Sequence, residues 1–167
     1  PTMFSQEEAN QVEKDLLNCL MKADRNKYQF SYFTIKALSV LQRQILVEKH
    51  LISPYLASME LTGSVFITKD ESLSVMVNEE DHLRIQSIYP GFQLIEAYQE
   101  AILVHQFISE QIDFAYDDQF GYLTSCPTNV GTGLRASVML HLPALTMTKK
   151  MSNLIHALTR LGMTVRG

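Results

Sequence analysis

Two short apolar runs separated by a polar turn constrain the fold of this chain more than any other feature of its sequence. Gly63–Thr68 and Leu73–Val77 are both apolar, and only Lys69-Asp70-Glu71-Ser72 stands between them. This pattern predicts a β-hairpin. A third strand is predicted at His82–Ile88, where Pro90-Gly91 ends the run. Because strands joined by such short turns run antiparallel, the sequence predicts an antiparallel sheet.

Amphipathic segments around these strands predict helices that cover the sheet. Ser5 and Glu8 form a capping-box pattern, and apolar residues then follow helical spacing to about Met21. The further predicted elements are a strand at Tyr28–Ile35, helices at Val40–Lys49 and Phe92–Ile112, a strand at Leu134–Leu142, and a helix from Pro143 to Leu161 that stops at Gly162. The predicted fold class is therefore α+β, with a largely antiparallel sheet covered by helices.

Composition narrows the class of protein. With 167 residues, of which 46% are hydrophobic and 19% charged, the chain is long and apolar enough for one domain with a core. A net charge of −4 argues against a nucleic-acid or membrane-surface partner, because basic patches bind such partners. The sequence shows no signal peptide and no membrane-spanning apolar run, which predicts a cytoplasmic protein. A disulfide between Cys19 and Cys126 is not expected in that reducing compartment.

A dense cluster of charged side chains follows the second strand of the predicted hairpin. Asn78-Glu79-Glu80-Asp81-His82-Leu83-Arg84 places three consecutive acids just before a histidine and an arginine. The acids lie where the predicted strand ends, and Arg84 lies two positions after His82, so both side chains project from one face of the next strand. On its own, such an acidic run is usually a solvated turn.

A second cluster, Cys126–Val138, combines a thiol, a turn with two glycines and an arginine. Pro127 forces an extended backbone at Cys126, and the two glycines allow tight turns and close approach of the backbone to a ligand. No Gly-Lys-Ser/Thr follows them, so the segment is not a P-loop. On its own, Cys126 is more often a small buried apolar residue, and Arg135 is as often a structural ion-pair partner.

Together the two clusters supply the side chains that phosphoryl transfer to a guanidinium requires. A guanidinium is protonated in water, and it becomes a nucleophile only when a group holds it and accepts a proton, as a carboxylate can. The nucleotide phosphates require positive charge instead. Glu79 and Glu80 suit the first task, and Arg84 and Arg135 suit the second.

Three segments carry a resemblance to a known family. Asn78–Arg84, Tyr122–Pro143 and Glu48–Pro54 resemble the ATP:guanido phosphotransferases, or phosphagen kinases, and within them the bacterial protein-arginine kinases. The resemblance implies a guanido kinase catalytic-domain fold, with helices on the outer face of the sheet and the site on its open face. It also implies that residues 1–167 form a single, partial catalytic domain.

The resemblance assigns roles to individual residues. Glu80 matches the catalytic carboxylate, with Glu79 beside it in the guanidinium pocket, and Cys126 matches the reactive cysteine against the guanidinium. Arg84 and Arg135 match arginines that hold nucleotide phosphates. The other positions that match nucleotide contacts are His50, Ala136, Ser137, Val138, Met139, Arg166 and Gly167. The implied cosubstrate is ATP, with Mg²⁺ carried by the nucleotide and no metal site of the protein's own.

The function that the resemblance implies is transfer of the ATP γ-phosphoryl group to arginine residues in protein substrates. Its implied partners are those substrates, an activator protein and the Clp protease machinery, with a homodimer in the full-length protein. Two alternatives stay open. One is a kinase for a free guanidino metabolite, and the other is a fragment that keeps the fold without turnover.

Departures from the family pattern bear on these alternatives. Met139 stands where phosphagen kinases carry a histidine, and a thioether does not hydrogen-bond as an imidazole does. The family's N-terminal Ser-Arg-x-Arg motif, its loop after Arg166-Gly167 and its C-terminal phosphoarginine-binding domain are not in the sequence. We therefore expect the chain to be the central piece of a larger catalytic protein, which favours the fragment for this polypeptide in isolation.

Overall fold

The computed structural model describes residues 4–22, 28–60 and 62–166. In chain order the helices and strands are α1 (Gln6–Leu20), β1 (Phe30–Thr34), α2 (Val40–Glu48), α3 (Pro54–Ala57), β2 (Ser64–Thr68), β3 (Leu73–Val77), β4 (Leu83–Ser87), α4 (Leu94–Ser109), β5 (Tyr116–Asp117), β6 (Gly121–Tyr122), α5 (Pro143–Met147) and α6 (Met151–Arg160). Short 3₁₀ turns occur at Ile35–Ala37 and Pro127–Asn129. The chain divides into two compact units, Pro1–Ala136 and Ser137–Gly167.

The first unit is built on the antiparallel sheet that the sequence predicts. Its strands lie in the order β1-β2-β3-β4, and each pairs antiparallel with its neighbour. The predicted hairpin is confirmed as β2 and β3, in which Phe66 pairs with Val75. The predicted third strand is confirmed as β4, in which Ile85 pairs with Val75 from the other side. One row of apolar side chains therefore crosses the sheet, which stabilises its register.

Helices pack against both faces of this sheet, so the expected open face is not seen among the described residues. The first face packs against α1 and α4 around the buried residues Leu16, Cys19, Leu20, Phe66, Leu73, Val75, Val77, Val104 and Ile108. The second face packs against the α2–α3 segment around Ile35, Leu51, Ile52, Leu56, Val65, Ile67 and Met76. Arg84 pairs with Met76 across β3 and β4. Because strand side chains alternate between faces, Arg84 lies on the second face, next to α2 and α3.

Local sequence signals set the ends of the helices. Ser5 and Glu8 form the predicted capping box of α1, in which Ser5 Oγ accepts from the Glu8 N–H across 3.2 Å. After α2, His50 adopts a left-handed φ of 58°, and the Leu51 N–H donates to Leu46 O across 2.9 Å. This bond is part of a Schellman motif, which satisfies carbonyls that the helix leaves unpaired at its end.

The predicted strand at Leu134–Leu142 is wrong. The structure has no strand in this segment, all of which is described, and the Met139 and Leu140 side chains are exposed. An apolar pattern becomes a strand only where a neighbouring strand supplies hydrogen bonds to its backbone. Within residues 4–22, 28–60 and 62–166, strands β1 to β4 pair only with one another.

The second unit consists of α5 and α6, where the sequence predicts one helix from Pro143 to Leu161. That prediction is wrong at Lys149, which adopts a φ of 55°. The Lys150 N–H donates to Leu145 O across 3.0 Å, so α5 ends in a Schellman motif before α6 begins. The predicted stop at Gly162 is confirmed, because this residue has a φ of 79° directly after α6.

The sequence patterns missed two small elements, the single turn α3 and the hairpin of β5 and β6. In the part of the chain that the structure describes, no helix is both long and apolar enough to cross a membrane.

Candidate functional site

Asn78, which received no role in the sequence analysis, fixes the turn after β3. Its φ is 56°, a left-handed conformation that asparagine adopts more readily than most residues. Its buried side chain donates through Nδ2 to Ala9 O across 2.9 Å, and its Oδ1 lies 2.9 Å from His82 Nδ1. The turn that carries the acids is therefore attached to α1.

His82 closes this turn from the other side. Its carbonyl accepts from the Asn78 N–H across 3.0 Å, and its ring lies 4.9 Å from the ring of Phe4, centroid to centroid. Burial lowers the pKa of His82 below its ordinary value, while the charges of Glu8 and Asp81 act in the opposite direction. Through these contacts His82 helps to fix the orientation of the acidic turn.

Glu79 and Arg84 form an ion pair on this turn. Glu79 Oε1 lies 3.2 Å from Arg84 Nη1, and the side chains are 5% and 34% exposed respectively. The other carboxylate oxygen of Glu79 accepts from the Glu80 N–H across 3.1 Å. Glu79 is buried and Arg84 reaches solvent, so a buried carboxylate holds a guanidinium that is still partly accessible.

Glu80 differs from Glu79 in its surroundings. The Glu80 side chain is exposed, and among the described residues no hydrogen bond or ion pair to its carboxylate is recorded. A free carboxylate beside a fixed turn is able to accept a proton from a bound donor. The two adjacent acids therefore differ: Glu79 is a buried ion-pair partner, and Glu80 carries an accessible carboxylate.

Ser125 joins the acidic turn to the loop that carries Cys126. The Ser125 N–H donates to Asp81 Oδ1 across 2.7 Å, and the Ser125 hydroxyl donates to Glu80 O across 3.0 Å. Ser125, which lies outside both sequence clusters, therefore attaches the start of the Cys126 loop to the acidic turn. The sequence patterns did not predict this contact between Asp81 and Ser125.

Cys126 is half-buried on this loop, and its thiol is free, as is that of Cys19. Its backbone is extended, with φ −88° and ψ 118°, as Pro127 predicts. Cys126 O accepts from the Thr124 hydroxyl across 2.8 Å, and Cys126 Sγ lies 3.0 Å from Thr128 Oγ1. These bonds hold the thiol in one orientation beside the acidic turn.

Glycines close the base of the Cys126 loop. The backbones of Tyr122 and Gly131 exchange hydrogen bonds of 2.8 Å and 3.2 Å. Gly121 has a φ of 77°, and a Cβ on this residue would lie 2.4 Å from Gly131 O. Any side chain at Gly121 would therefore push the two arms of the loop apart.

His105 supports the same loop from α4. Its ring stacks on Phe114 with centroids 4.9 Å apart, and meets Tyr122 edge to face at 5.4 Å. Neither ring nitrogen of His105 has a hydrogen-bond partner among the described residues. Burial lowers the pKa of His105, which favours the neutral form of the ring.

The predicted nucleotide-binding residues are divided between the two units. Arg84 and His50 lie in the first unit, together with the exposed Arg135 and Ala136. Ser137, Val138, Met139 and Arg166 are exposed residues of the second unit, and Gly167 lies outside the described residues. In the described part of the chain, no group of three or more His, Cys, Asp or Glu side chains is arranged to hold a metal ion.

The chain matches the model of the ATP:guanido phosphotransferase C-terminal catalytic domain over residues 11–167, and it belongs to that family. The protein-arginine kinase of Caldanaerobacter subterraneus subsp. tengcongensis is 49% identical over 168 residues, which cover 100% of this chain and 50% of that protein. The protein-arginine kinase of Halalkalibacterium halodurans is 46% identical and covers 100% of this chain and 47% of its own length. This chain spans about half the length of the curated relatives it matches.

Solved structures agree on the fold. The duplicated taurocyamine kinase from Schistosoma mansoni, with bound transition state analog components, superposes with a TM-score of 0.73 at 28% identity and covers 86% of this chain and 22% of its own. Lombricine kinase superposes with a TM-score of 0.75 at 22% identity, covering 92% of this chain and 46% of its own. The prediction of an α+β fold of the guanido kinase catalytic-domain type is confirmed.

Proposed function

We propose that this chain is part of the catalytic domain of a protein-arginine kinase, which transfers the γ-phosphoryl group of ATP to the guanidinium of arginine residues in proteins. Family membership supports the reaction, and relatives named protein-arginine kinase at 49% and 46% identity support the substrate class. Residues 1–167 are then a single partial catalytic domain, and the remainder of the active protein completes the site.

The observation that carries this proposal is the bridge made by Ser125. Its hydrogen bonds to Asp81 Oδ1 and Glu80 O, 2.7 Å and 3.0 Å long, place an accessible carboxylate and a thiol on adjoining turns. A planar guanidinium has donors on several edges, so it is able to meet a carboxylate on one edge and a sulfur on another.

Each residue then has a role in the reaction. A guanidinium nitrogen of the substrate attacks the γ-phosphorus, the new N–P bond forms as the P–O bond to the ADP leaving group breaks, and Glu80 accepts the nitrogen's proton. Cys126 contacts the guanidinium and restricts its rotation. Glu79 lies beside Glu80 in the guanidinium pocket and also orients Arg84, which neutralises phosphate charge as Arg135 does.

The wider nucleotide site is proposed from the family resemblance. The proposed further contacts are His50, Ala136, Ser137, Val138, Met139, Arg166 and Gly167. Mg²⁺ supplies additional positive charge on the phosphates when it arrives with the nucleotide. Arg84 fits a nucleotide of this kind, because it is a partly exposed guanidinium fixed by a buried carboxylate.

The proposal includes partners and a location. Protein substrates that present arginine follow from the names of the relatives. An activator protein, the Clp protease machinery, a homodimer of the full-length protein and a cytoplasmic location stay predictions from the family resemblance.

Phosphoarginine formation by the complete protein tests the proposed function. Labelled ATP is supplied with three acceptors, which are an arginine-rich protein, the same protein with lysine in place of arginine, and free arginine. We expect acid-labile label on the first acceptor and almost none on the other two. Efficient labelling of free arginine with an inert protein acceptor would instead identify a guanidino-metabolite kinase, and no labelling of any acceptor would contradict catalysis.

A further inference from the structure

Gln86 connects two residues of the proposed nucleotide site. Arg84 and Gln86 are two positions apart on β4, so their side chains share one face of the sheet. Arg84 Nη2 donates to Gln86 Oε1 across 3.1 Å, and Gln86 Nε2 donates to the backbone carbonyl of His50. A single amide therefore links a guanidinium on the sheet to the turn at the end of α2.

Besides the packing of Leu51 and Ile52 against the sheet, a further polar contact lies next to the His50 turn. His50 has a φ of 58°, and its N–H donates to Val47 O across 2.9 Å. The His50 carbonyl lies after the end of α2 and accepts no hydrogen bond from within the helix, so it is available to Gln86. The adjacent Lys49 forms a 2.6 Å ion pair with Glu71 in the β2–β3 turn. This further contact is exposed, with side chains 48% and 46% accessible, and it contributes little on its own.

Arg84 is held from two sides. Nη1 bonds to the Glu79 carboxylate at 3.2 Å and Nη2 bonds to the Gln86 amide at 3.1 Å. Because a guanidinium is planar, bonds to two of its nitrogens fix its rotation as well as its position. The amide adds no negative charge, so it fixes Arg84 without competing with a phosphate for the guanidinium.

Glutamine suits this link because its terminal group both donates and accepts. Glutamate has the same length and an acceptor for Arg84, but it has no N–H for the His50 carbonyl. Methionine has a similar volume and makes neither bond.

We propose that Gln86 is a positioning residue that sets the Arg84 guanidinium relative to the His50 turn, so that one nucleotide meets both. The proposal rests on the nucleotide-binding roles proposed above for Arg84 and His50. Gln86 itself touches no substrate in this role. It links β4 to the end of α2, which are far apart in the sequence, and so fixes the distance between them.

The test is nucleotide affinity of the complete protein, measured by calorimetric titration with MgATP. Gln86→Met removes both bonds, and we expect the affinity for MgATP to fall roughly tenfold, the scale of two modest hydrogen bonds. In steady-state kinetics the KM for ATP should rise similarly, while the KM for an arginine-bearing protein stays within about twofold of the wild-type value. Gln44→Met, at an exposed position of α2, is the matched control and should change neither quantity.

A Gln86→Glu variant keeps the packing of the side chain, removes its donor to the His50 turn and adds a charge beside Arg84. It keeps the length of the side chain and its bond to Arg84, but it turns the contact with the His50 carbonyl into a repulsion between two acceptors. We expect a loss of MgATP affinity at least as large as that of Gln86→Met. If the methionine variant melts at a lower temperature than the wild type, the glutamate variant provides the deciding comparison.

Two results would overturn the proposal. One is unchanged MgATP affinity in both variants, and the other is an equal rise of the two KM values, which indicates general damage. Calorimetry does not depend on phosphoryl transfer, so wild-type protein that binds MgATP but modifies no arginine would contradict the proposed function while still testing Gln86.

Discussion

Glu79 is a buried carboxylate whose Oε1 lies 3.2 Å from the Nη1 of the partly exposed Arg84. This ion pair gives Arg84 a structural role in addition to its proposed contact with phosphate. Removing the guanidinium leaves a buried charge without its partner, which is costly. The exposure of Arg84, 34%, reduces that cost because water reaches the site.

Arg84→Ala should therefore lower both nucleotide affinity and stability. We expect a loss of about 1–3 kcal/mol in the free energy of unfolding, below the range for a fully buried pair, together with weaker MgATP binding. Urea unfolding and calorimetric titration measure the two effects. Arg135→Ala is the comparison, because Arg135 is exposed and should lose nucleotide affinity without loss of stability. Unchanged MgATP affinity and turnover in both variants would contradict the proposed nucleotide roles of both arginines.

Glu80→Gln should abolish most turnover and leave the fold intact. The Glu80 carboxylate is exposed, so its neutral isostere costs little stability. Loss of a general base lowers turnover by about two to four orders of magnitude. Single-turnover phosphoryl transfer by the complete protein measures this effect, and Glu110→Gln, at the exposed end of α4, is the control. Turnover near the wild-type rate in folded Glu80→Gln would assign the base to another residue.

Asp81→Ala should detach the Cys126 loop from the acidic turn. It removes the acceptor of the 2.7 Å bond from the Ser125 N–H, which leaves that amide without its partner. We expect turnover to fall by roughly tenfold or more, since small misplacements in a catalytic site are costly. Hydrogen exchange of the Ser125 amide should also accelerate. Asp113→Ala, at an exposed position before β5, should alter neither quantity, and the same result for Asp81→Ala would contradict a positioning role.

The free energy of unfolding should decrease as the pH falls below the ordinary pKa of histidine, because the folded protein disfavours protonation of His105. Burial lowers the pKa of His105 from its ordinary value of 6.5, so below that pH the unfolded chain binds a proton that the folded chain does not. The free energy of unfolding therefore decreases as the pH falls below this value. His105→Phe keeps an aromatic ring and removes the titration.

Urea unfolding at about pH 7.5 and pH 5.5 measures this dependence. The loss of stability between the two pH values should be smaller in His105→Phe than in the wild type. His156→Phe changes an exposed histidine and should retain the full loss. An identical pH dependence in the wild type and His105→Phe would show that His105 titrates normally in the folded state. His82, whose pKa burial also lowers, accounts for part of the remaining dependence.

Local signals in the sequence were sufficient for much of the sheet and for several helix ends. The β2–β3 hairpin follows from two apolar runs and a polar turn, and Ser5 with Glu8 identifies the start of α1. Each of these features depends on residues within a few positions of one another, where patterns and capping rules apply directly.

Features that depend on distant residues were not predictable in the same way. The pattern of Leu134–Leu142 suits a strand, but a strand also needs a neighbouring strand to pair with. The sequence of one segment does not show whether such a neighbour exists. The contact between Ser125 and Asp81 joins residues 44 positions apart. Family resemblance predicted that the acids and the thiol share one site. The hydrogen bonds that hold them together could be identified only from the structure.

The alkylation rate of Cys126 tests most directly whether the thiol and Glu80 share one guanidinium site. Cys126 is partly accessible and Cys19 is buried, so the native complete protein should be alkylated at Cys126 first. We predict that an arginine-bearing protein substrate slows alkylation of Cys126, that its lysine-substituted counterpart does not, and that Glu80→Gln removes the protection. Equal alkylation rates with and without the arginine-bearing substrate, under conditions in which that substrate is bound, would contradict a shared site.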